Sequence, residues 1–292
     1  MTLLAQTLAL LAMTVVTVAV KVVPLDMAHD SFNDQHWDCS PAMIAKLPAL
    51  HWSESQQNPL FAQAWRKATD KWRSRETPLS PLSSPAQAIA VMDYMMDDLY
   101  KEFNKAVRTA GSSSQEYQNN FHFKTLHFLL TDILVMLRNT WGPGCHYVYR
   151  GVRWVWFKAE HGDIVGFGQF TSASQNEGTA KVFRTDTVFH VHTWHSVEIQ
   201  HFSYYPHEKE VLIPLFETFE VIKVSQEGES VWIQLHSTGT FSNYNCEWLR
   251  GDSIGDSLGR WGHQLGSIPR APFQLRGLLL ATRALAVATG IL

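Results

Sequence analysis

The run Thr140-Trp141-Gly142-Pro143-Gly144-Cys145-His146-Tyr147-Val148-Tyr149-Arg150-Gly151-Val152 divides the chain into two kinds of structure. Before it, apolar residues return at three- and four-residue steps, the period of a buried helix face. After it, short runs rich in Val, Phe, Tyr and Ile are punctuated by Gly and Pro, as strands separated by turns are. On the helical side, Ser84, Pro85 and Gln87 have N-cap, N1 and N3 chemistry, and Ile89, Met92, Met96, Leu99 and Phe103 form one stripe that Gly111 stops. A second helix is predicted from about Gln115 to Arg138, with Leu126, Leu129, Leu130, Ile133, Leu134 and Leu137 inward, and a shorter one from Leu60 to Arg73. Glu76 to Ser84, rich in Pro and Ser, reads as a loop.

On the other side, strands are predicted over His146–Tyr149, Ile164–Ser172, Val188–His192, Glu198–Tyr204, Glu210–Pro214, Phe216–Val224 and Ser230–His236. Helices first and strands after predict an α+β fold, with no βαβ alternation and no parallel sheet. No Gly-rich fingerprint follows a strand and opens a helix, which argues against a Rossmann nucleotide site.

Composition narrows the function classes. The 292 residues are 17% charged and 12% aromatic, which fits a folded core and not a disordered chain. A formal net charge of -3 provides no basic footprint for nucleic acid. Leu3 to Ala19 is apolar, short for a bilayer span, and ends in the small-residue pattern of Thr17 and Ala19. Residues 1–19 are therefore read as a signal peptide. The tail, 251–292, ends in the apolar run Gly277–Leu292, interrupted by Arg283, behind a small-residue spacer at Gly266 and Ser267. It reads equally as a removed lipid-anchor signal or as a leftover apolar terminus. Export makes Cys39, Cys145 and Cys246 disulfide candidates, with one thiol left free or paired between chains. A Cys39–Cys246 bridge would close a long loop, worth about 4 to 5 kcal/mol on the entropic account.

Three segments carry chemistry. Arg150 at a strand end, followed by Gly151, offers a fork of donors suited to a pyrophosphate and a close backbone approach. Phe167 to Ser174 ends an apolar strand in hydroxyls, with Ser172 and Ser174 on one face and Ser174 also suited to cap a following helix. In Tyr205-Pro206-His207-Glu208-Lys209-Glu210-Val211-Leu212-Ile213-Pro214, extended backbone would aim Glu208 and Glu210 the same way and Lys209 the other. Each segment alone is explained as well by a surface turn, a strand edge or a charged turn.

Together, Arg, then Ser, then Glu-x-Glu on separate strands resemble the signature of mono-ADP-ribosyltransferases. The flanks Tyr149-Arg150-Gly151-Val152, Phe167–Ser174, Glu210–Pro214, Phe216–Phe219, Phe121–Leu130 and Tyr244–Glu247 are similar to those of vertebrate arginine-specific ecto-enzymes, most closely avian members. The similarity covers roughly Val23 to Arg250. It implies a catalytic domain over 20–250, mostly helical to 140 and mostly strands from 141, with a largely antiparallel, β-sandwich-like NAD-binding core. It also implies an extracellular, secreted or lipid-anchored monomer that transfers ADP-ribose from NAD, or NADP, to arginine on target proteins and uses no metal.

By the same resemblance, Arg150 would hold the pyrophosphate and Gly151 the nicotinamide amide, while Ser172 would orient ribose and Glu210. Phe183 would stack on nicotinamide. Glu210 would stabilise the ribosyl cation, and Glu208 would bind the acceptor guanidinium. Relatives carry a second disulfide, but Trp194 stands where the partner of Cys145 should be, and His195-Ser196 departs from the usual pattern, so Cys145 is expected to be a free thiol. Three alternatives stand beside this reading. The chain would be an NAD glycohydrolase using water as acceptor, or a secreted binding protein on a disarmed scaffold. Third, the histidines His190, His192, His195, His201 and His207 would ligate a metal, although no familiar ligand spacing supports that.

Overall fold

The computed structural model describes residues 20–75, 77–142, 144–178, 186–205 and 209–251. The expected signal peptide, the tail beyond Gly251, Phe183 and Glu208 lie outside the described residues. Helices α1 (Ser40–Gln57), α2 (Pro59–Arg73), α3 (Pro85–Met95), α4 (Asp97–Ala110), α5 (Ser114–Asn120) and α6 (Lys124–Trp141) follow a short strand, β1 (Lys21–Pro24). Strands β2 (His146–Val152), β3 (Val155–Lys158), β4 (Ile164–Gly166), β5 (Thr171–Ser174), β6 (Thr187–Thr193), β7 (Val197–Glu198), β8 (Glu210–Ile213), β9 (Glu217–Glu227) and β10 (Ser230–Thr240) follow. Helix gives way to strand at Gly142, whose φ of +85° few side chains tolerate.

Helix α3 starts where predicted, with Gln87 Oε1 accepting the Ser83 and Ser84 N–H groups at 2.8 and 3.1 Å. All five residues of its predicted stripe are buried, yet the stripe spans two helices, because Met96 is extended (ψ 134°). The helix predicted from Gln115 to Arg138 is likewise two, α5 and α6. The first turn of α6 is capped from a distance: Glu54 on α1 accepts the Lys124 N–H at 2.6 Å and the Thr125 N–H at 2.9 Å. That buried carboxylate satisfies donors that a continuous helix would have satisfied itself.

Eight strands form one sheet in the order β4-β9-β10-β6-β2-β5-β8-β7, and β1 and β3 form a two-stranded parallel ribbon. Most pairings are antiparallel, but β10 and β6 are parallel, so the expectation of no parallel pairing is corrected. Their connection runs through other strands and needs no βαβ unit. The predicted strand Ile164–Ser172 is two strands, broken around Gly168 at φ +62°. The predicted strand Glu198–Tyr204 shortens to Val197–Glu198, after which the chain turns.

Alternation along β8 splits the interior. Leu212 joins the core built by the helices with Phe170, Ile199 and Phe202, while Val211 and Ile213 join the core with Val148, Phe189 and Phe219. Cys39 and Cys246 are bridged across 207 positions, tying the start of α1 to the segment after β10. Cys145 is free and exposed. The β2–β6 register pairs His146 with Thr193, so Cys145 and Trp194 are the next facing positions beyond it. Glu217 secures that turn, accepting from Thr193 Oγ1 (2.7 Å), Trp194 N–H (2.8 Å) and His195 N–H (3.2 Å).

Candidate active site

The sheet order places β2, β5 and β8 side by side, and these strands carry Arg150, Ser172 and Glu210. Ser172 faces Leu212 and Ser174 faces Glu210 across the β5–β8 ladder, while Ser174 also registers with Tyr149 of β2. Residues separated by up to sixty positions thus meet within three strands, each fixed by its ladder.

Arg150 is oriented on two sides. Its Nη1 donates to the Ser172 carbonyl at 2.9 Å and to Ser172 Oγ at 3.0 Å. Its Nη2 donates to the Tyr100 hydroxyl, and the guanidinium carbon lies 5.6 Å from the centre of the Tyr100 ring. Such a guanidinium is held in one plane, ready for bidentate recognition of an oxyanion. Behind it, the buried Tyr94 hydroxyl donates to the Phe170 carbonyl at 2.7 Å, and Asn104 Nδ2 donates to the same oxygen at 3.3 Å. Burial pushes the Tyr94 hydroxyl well above its usual range, with Tyr100 and Glu210 adding to the rise and Asn104 and Arg150 opposing it.

Glu210 is buried, 7% exposed, at the first residue of β8. The fully buried Ser203 donates its Oγ–H to Glu210 Oε2 at 2.8 Å, and Ser203 Oγ accepts the Tyr205 N–H at 3.0 Å. Neither Ser203 nor Tyr100 was singled out from sequence. Tyr100 sits one turn beyond Met96 on the apolar stripe, whereas no local signal marks Ser203. Ser174 Oγ accepts the Asn176 N–H at 3.1 Å, while the helix expected after it, through Phe183, runs into residues outside those described. Lys209 has φ +47°, so the backbone before Glu210 is not extended, and the simple alternation expected across Glu208-Lys209-Glu210 does not hold at that residue. Beside Glu210, Gln175, Glu198, Gln200 and Lys209 complete the lining of a cavity of about 180 Å³. A larger cavity of about 640 Å³ at Arg138 and His195 contains none of the catalytic candidates, and chemistry, not size, directs attention to the smaller one.

Among the histidines, His192 and His236 face each other across β6 and β10 with their Nδ1 atoms 2.9 Å apart, and Tyr149 stacks on His190 at 4.7 Å.

A helical half leading into a sheet that carries Arg, Ser and Glu on three adjacent strands, in chain order, defines the class of the ADP-ribosyltransferases. The crystal structure of the eucaryotic mono-ADP-ribosyltransferase ART2.2 matches with a TM-score of 0.65 at 32% identity, over 77% of this chain and 98% of that one. Mutant forms of that enzyme in complex with NADH and with NAD match at 0.64. This chain belongs to the NAD:arginine ADP-ribosyltransferase family, whose model matches residues 25–243. It is 45% identical over 245 residues to the NAD(P)(+)–arginine ADP-ribosyltransferase 2 of Gallus gallus, covering 83% of this chain and 77% of that protein. It is 41% identical to the GPI-linked NAD(P)(+)–arginine ADP-ribosyltransferase 1 of Mus musculus, covering 78% and 74%.

Proposed function

We propose that this protein transfers ADP-ribose from NAD to arginine side chains of other proteins and releases nicotinamide. The observation that carries the reading is the buried Glu210, fixed by Ser203 on the strand next to the Arg150–Ser172 pair. The oriented Arg150 guanidinium binds the pyrophosphate of NAD, and the backbone of Gly151 meets the nicotinamide amide. Ser172 orients the nicotinamide ribose. Phe183, outside the described residues, stacks on nicotinamide.

When the bond between C1′ and the nicotinamide nitrogen breaks, the electron pair leaves with nicotinamide, and positive charge grows on the ribose. Glu210 is placed to stabilise that charge; as a preorganised, buried carboxylate it contributes more than it would in water. An arginine nitrogen then bonds to C1′ and loses a proton. A free guanidinium holds its protons past about pH 12, so the attack needs a base, and Glu208 is proposed for that role. NADP is taken to serve as an alternative donor.

Residues 20–250 form the catalytic domain, with residues 1–19 read as its leader. The protein acts outside the cell as a monomer, secreted or held by a lipid anchor, in keeping with the GPI-linked mouse relative. The test is nicotinamide release from NAD with and without agmatine, an arginine mimic. Agmatine should accelerate release and yield ADP-ribosyl-agmatine. Release that ignores agmatine would mean that water is the acceptor and that the protein is a glycohydrolase.

A further inference from the structure

The serine that holds Glu210 is itself held from the helical half of the chain. Ser203 lies in the turn after β7, where its N–H donates to the Ile199 carbonyl at 2.8 Å and its hydroxyl donates to Glu210 Oε2 at 2.8 Å. Its carbonyl is taken by Arg75: Nη1 donates to the Ser203 oxygen at 2.6 Å, and Nη2 donates to the next carbonyl, that of Tyr204, at 2.9 Å. One guanidinium thus spans two successive peptide groups. A planar fork of donors can do this rigidly, and it fixes the orientation of both peptide planes at once.

Arg75 is anchored in its turn. Its N–H donates to the Trp72 carbonyl at 3.0 Å, which fastens it to the last turn of α2. Trp72 lies beside the buried Phe202 with ring centres 6.4 Å apart, and Lys71 Nζ is 5.3 Å from the centre of the Tyr204 ring. The end of α2 therefore meets residues 202–204 through three neighbouring side chains, of which only Arg75 bonds to the Ser203 backbone among the described residues. Ser203 is wholly buried, and a buried carbonyl that loses its donor is costly, so removing Arg75 would drive this peptide group to seek another position. A shift of about 1 Å would carry the Ser203 hydroxyl out of hydrogen-bond range of Glu210.

We infer that Arg75 is a positioning residue: it fixes the Ser203 backbone so that the hydroxyl meets Glu210, and it acts on the reaction through Ser203 alone. The inference rests on the reading of Glu210 as the carboxylate that stabilises the ribosyl cation.

The test is a double-mutant cycle in kcat for nicotinamide release with NAD and agmatine, using wild type, Arg75→Ala, Ser203→Ala and the double variant. Arg75→Ala should lower kcat about five- to tenfold and change KM for NAD less than about twofold. In the Ser203→Ala background there is no hydroxyl left to misplace, so Arg75→Ala should lower kcat less than about twofold further. Arg75→Lys, which keeps the charge and can restore one of the two carbonyl bonds, should recover part of the loss; it takes the place of Arg75→Ala in the cycle if the alanine variant does not fold. Loss factors that multiply in the double variant would overturn the inference, because a general loosening of the fold acts whether or not the hydroxyl is present. An unchanged kcat in the single Arg75 variant, or a rise in KM for NAD in place of a fall in kcat, would overturn it as well. If wild type releases nicotinamide but forms no ADP-ribosyl-agmatine, the transferase reading falls and the same cycle still decides the role of Arg75. If Glu210→Gln releases nicotinamide as fast as wild type, the role of Glu210 falls and the inference with it.

Discussion

At the scale of single residues, the site depends on a few oriented bonds. Removing the Ser203 hydroxyl leaves a buried carboxylate short of a donor, and hydrogen bonds to charged groups are worth about 1.5–3 kcal/mol. Ser203→Ala should therefore lower kcat about tenfold and the denaturation midpoint modestly, measured by nicotinamide release and by urea unfolding. A second residue sets an acid limit. The wholly buried His127, with Nε2 3.0 Å from the Phe32 carbonyl, is held neutral down to a pKa of about 3, first by burial and then by neighbouring His36. The unfolded chain takes up a proton near pH 6.5 and the folded chain does not until near pH 3. Stability therefore falls as pH drops through that window, by about 2 kcal/mol per such histidine at about pH 5. Burial raises Glu54 and Glu217, and those carboxyls act with the opposite sign, so the informative comparison is with His127→Gln. That variant should flatten the dependence of the urea midpoint on pH between about 7 and 5. Arg150, Ser172 and Glu210 were picked out in sequence by their combination, in that order on separate strands, since each alone reads as a turn or a strand edge. Ser203 and Tyr100 were not, because each matters only through a contact that the folded chain creates.

At the scale of elements, periodicity identifies what is buried better than where helices stop. The stripe from Ile89 to Phe103 is inward throughout, yet the backbone turns at Met96 between α3 and α4. The break before α6 owes its satisfaction to Glu54, seventy residues away, which no local window registers. Helix α1 carries Pro48 in its interior, a residue that ordinarily argues against a helix, which hides it from a reading by pattern. Glu54→Ala should cost about 2–4 kcal/mol, since it orphans two buried N–H groups and opens a cavity; urea unfolding measures it. The turn at Trp194 allows a constructive test. Facing positions on an antiparallel pair are about 4.5–5.5 Å apart, within disulfide range, and Cys145 faces Trp194 in the continued register. Trp194→Cys should therefore form a second bridge to Cys145, seen as loss of the free thiol by mass spectrometry, and should raise the denaturation midpoint under non-reducing conditions.

At the scale of the whole molecule, the Cys39–Cys246 bridge encloses most of the described chain, including every strand of the large sheet. Its reduction frees a loop of some two hundred residues in the unfolded state, which the entropic account values at about 5 kcal/mol and experience with native bridges at about 2–5. Reducing agent should thus lower the urea midpoint sharply, and Cys145→Ser should not reproduce that loss. Within this frame the helical half supplies Tyr94, Tyr100 and Asn104 behind Arg150, and the sheet half supplies Arg150, Ser172, Ser203 and Glu210, so both halves must be folded for the site to exist. The central claim is that this site moves ADP-ribose onto arginine. Its most direct test is mass spectrometry of an arginine-containing peptide incubated with NAD and either wild type or Glu210→Gln. Wild type should add one ADP-ribose at arginine, and the variant should lose roughly 10²–10³-fold in rate. An unmodified peptide with free ADP-ribose accumulating, or equal modification by both proteins, would contradict it.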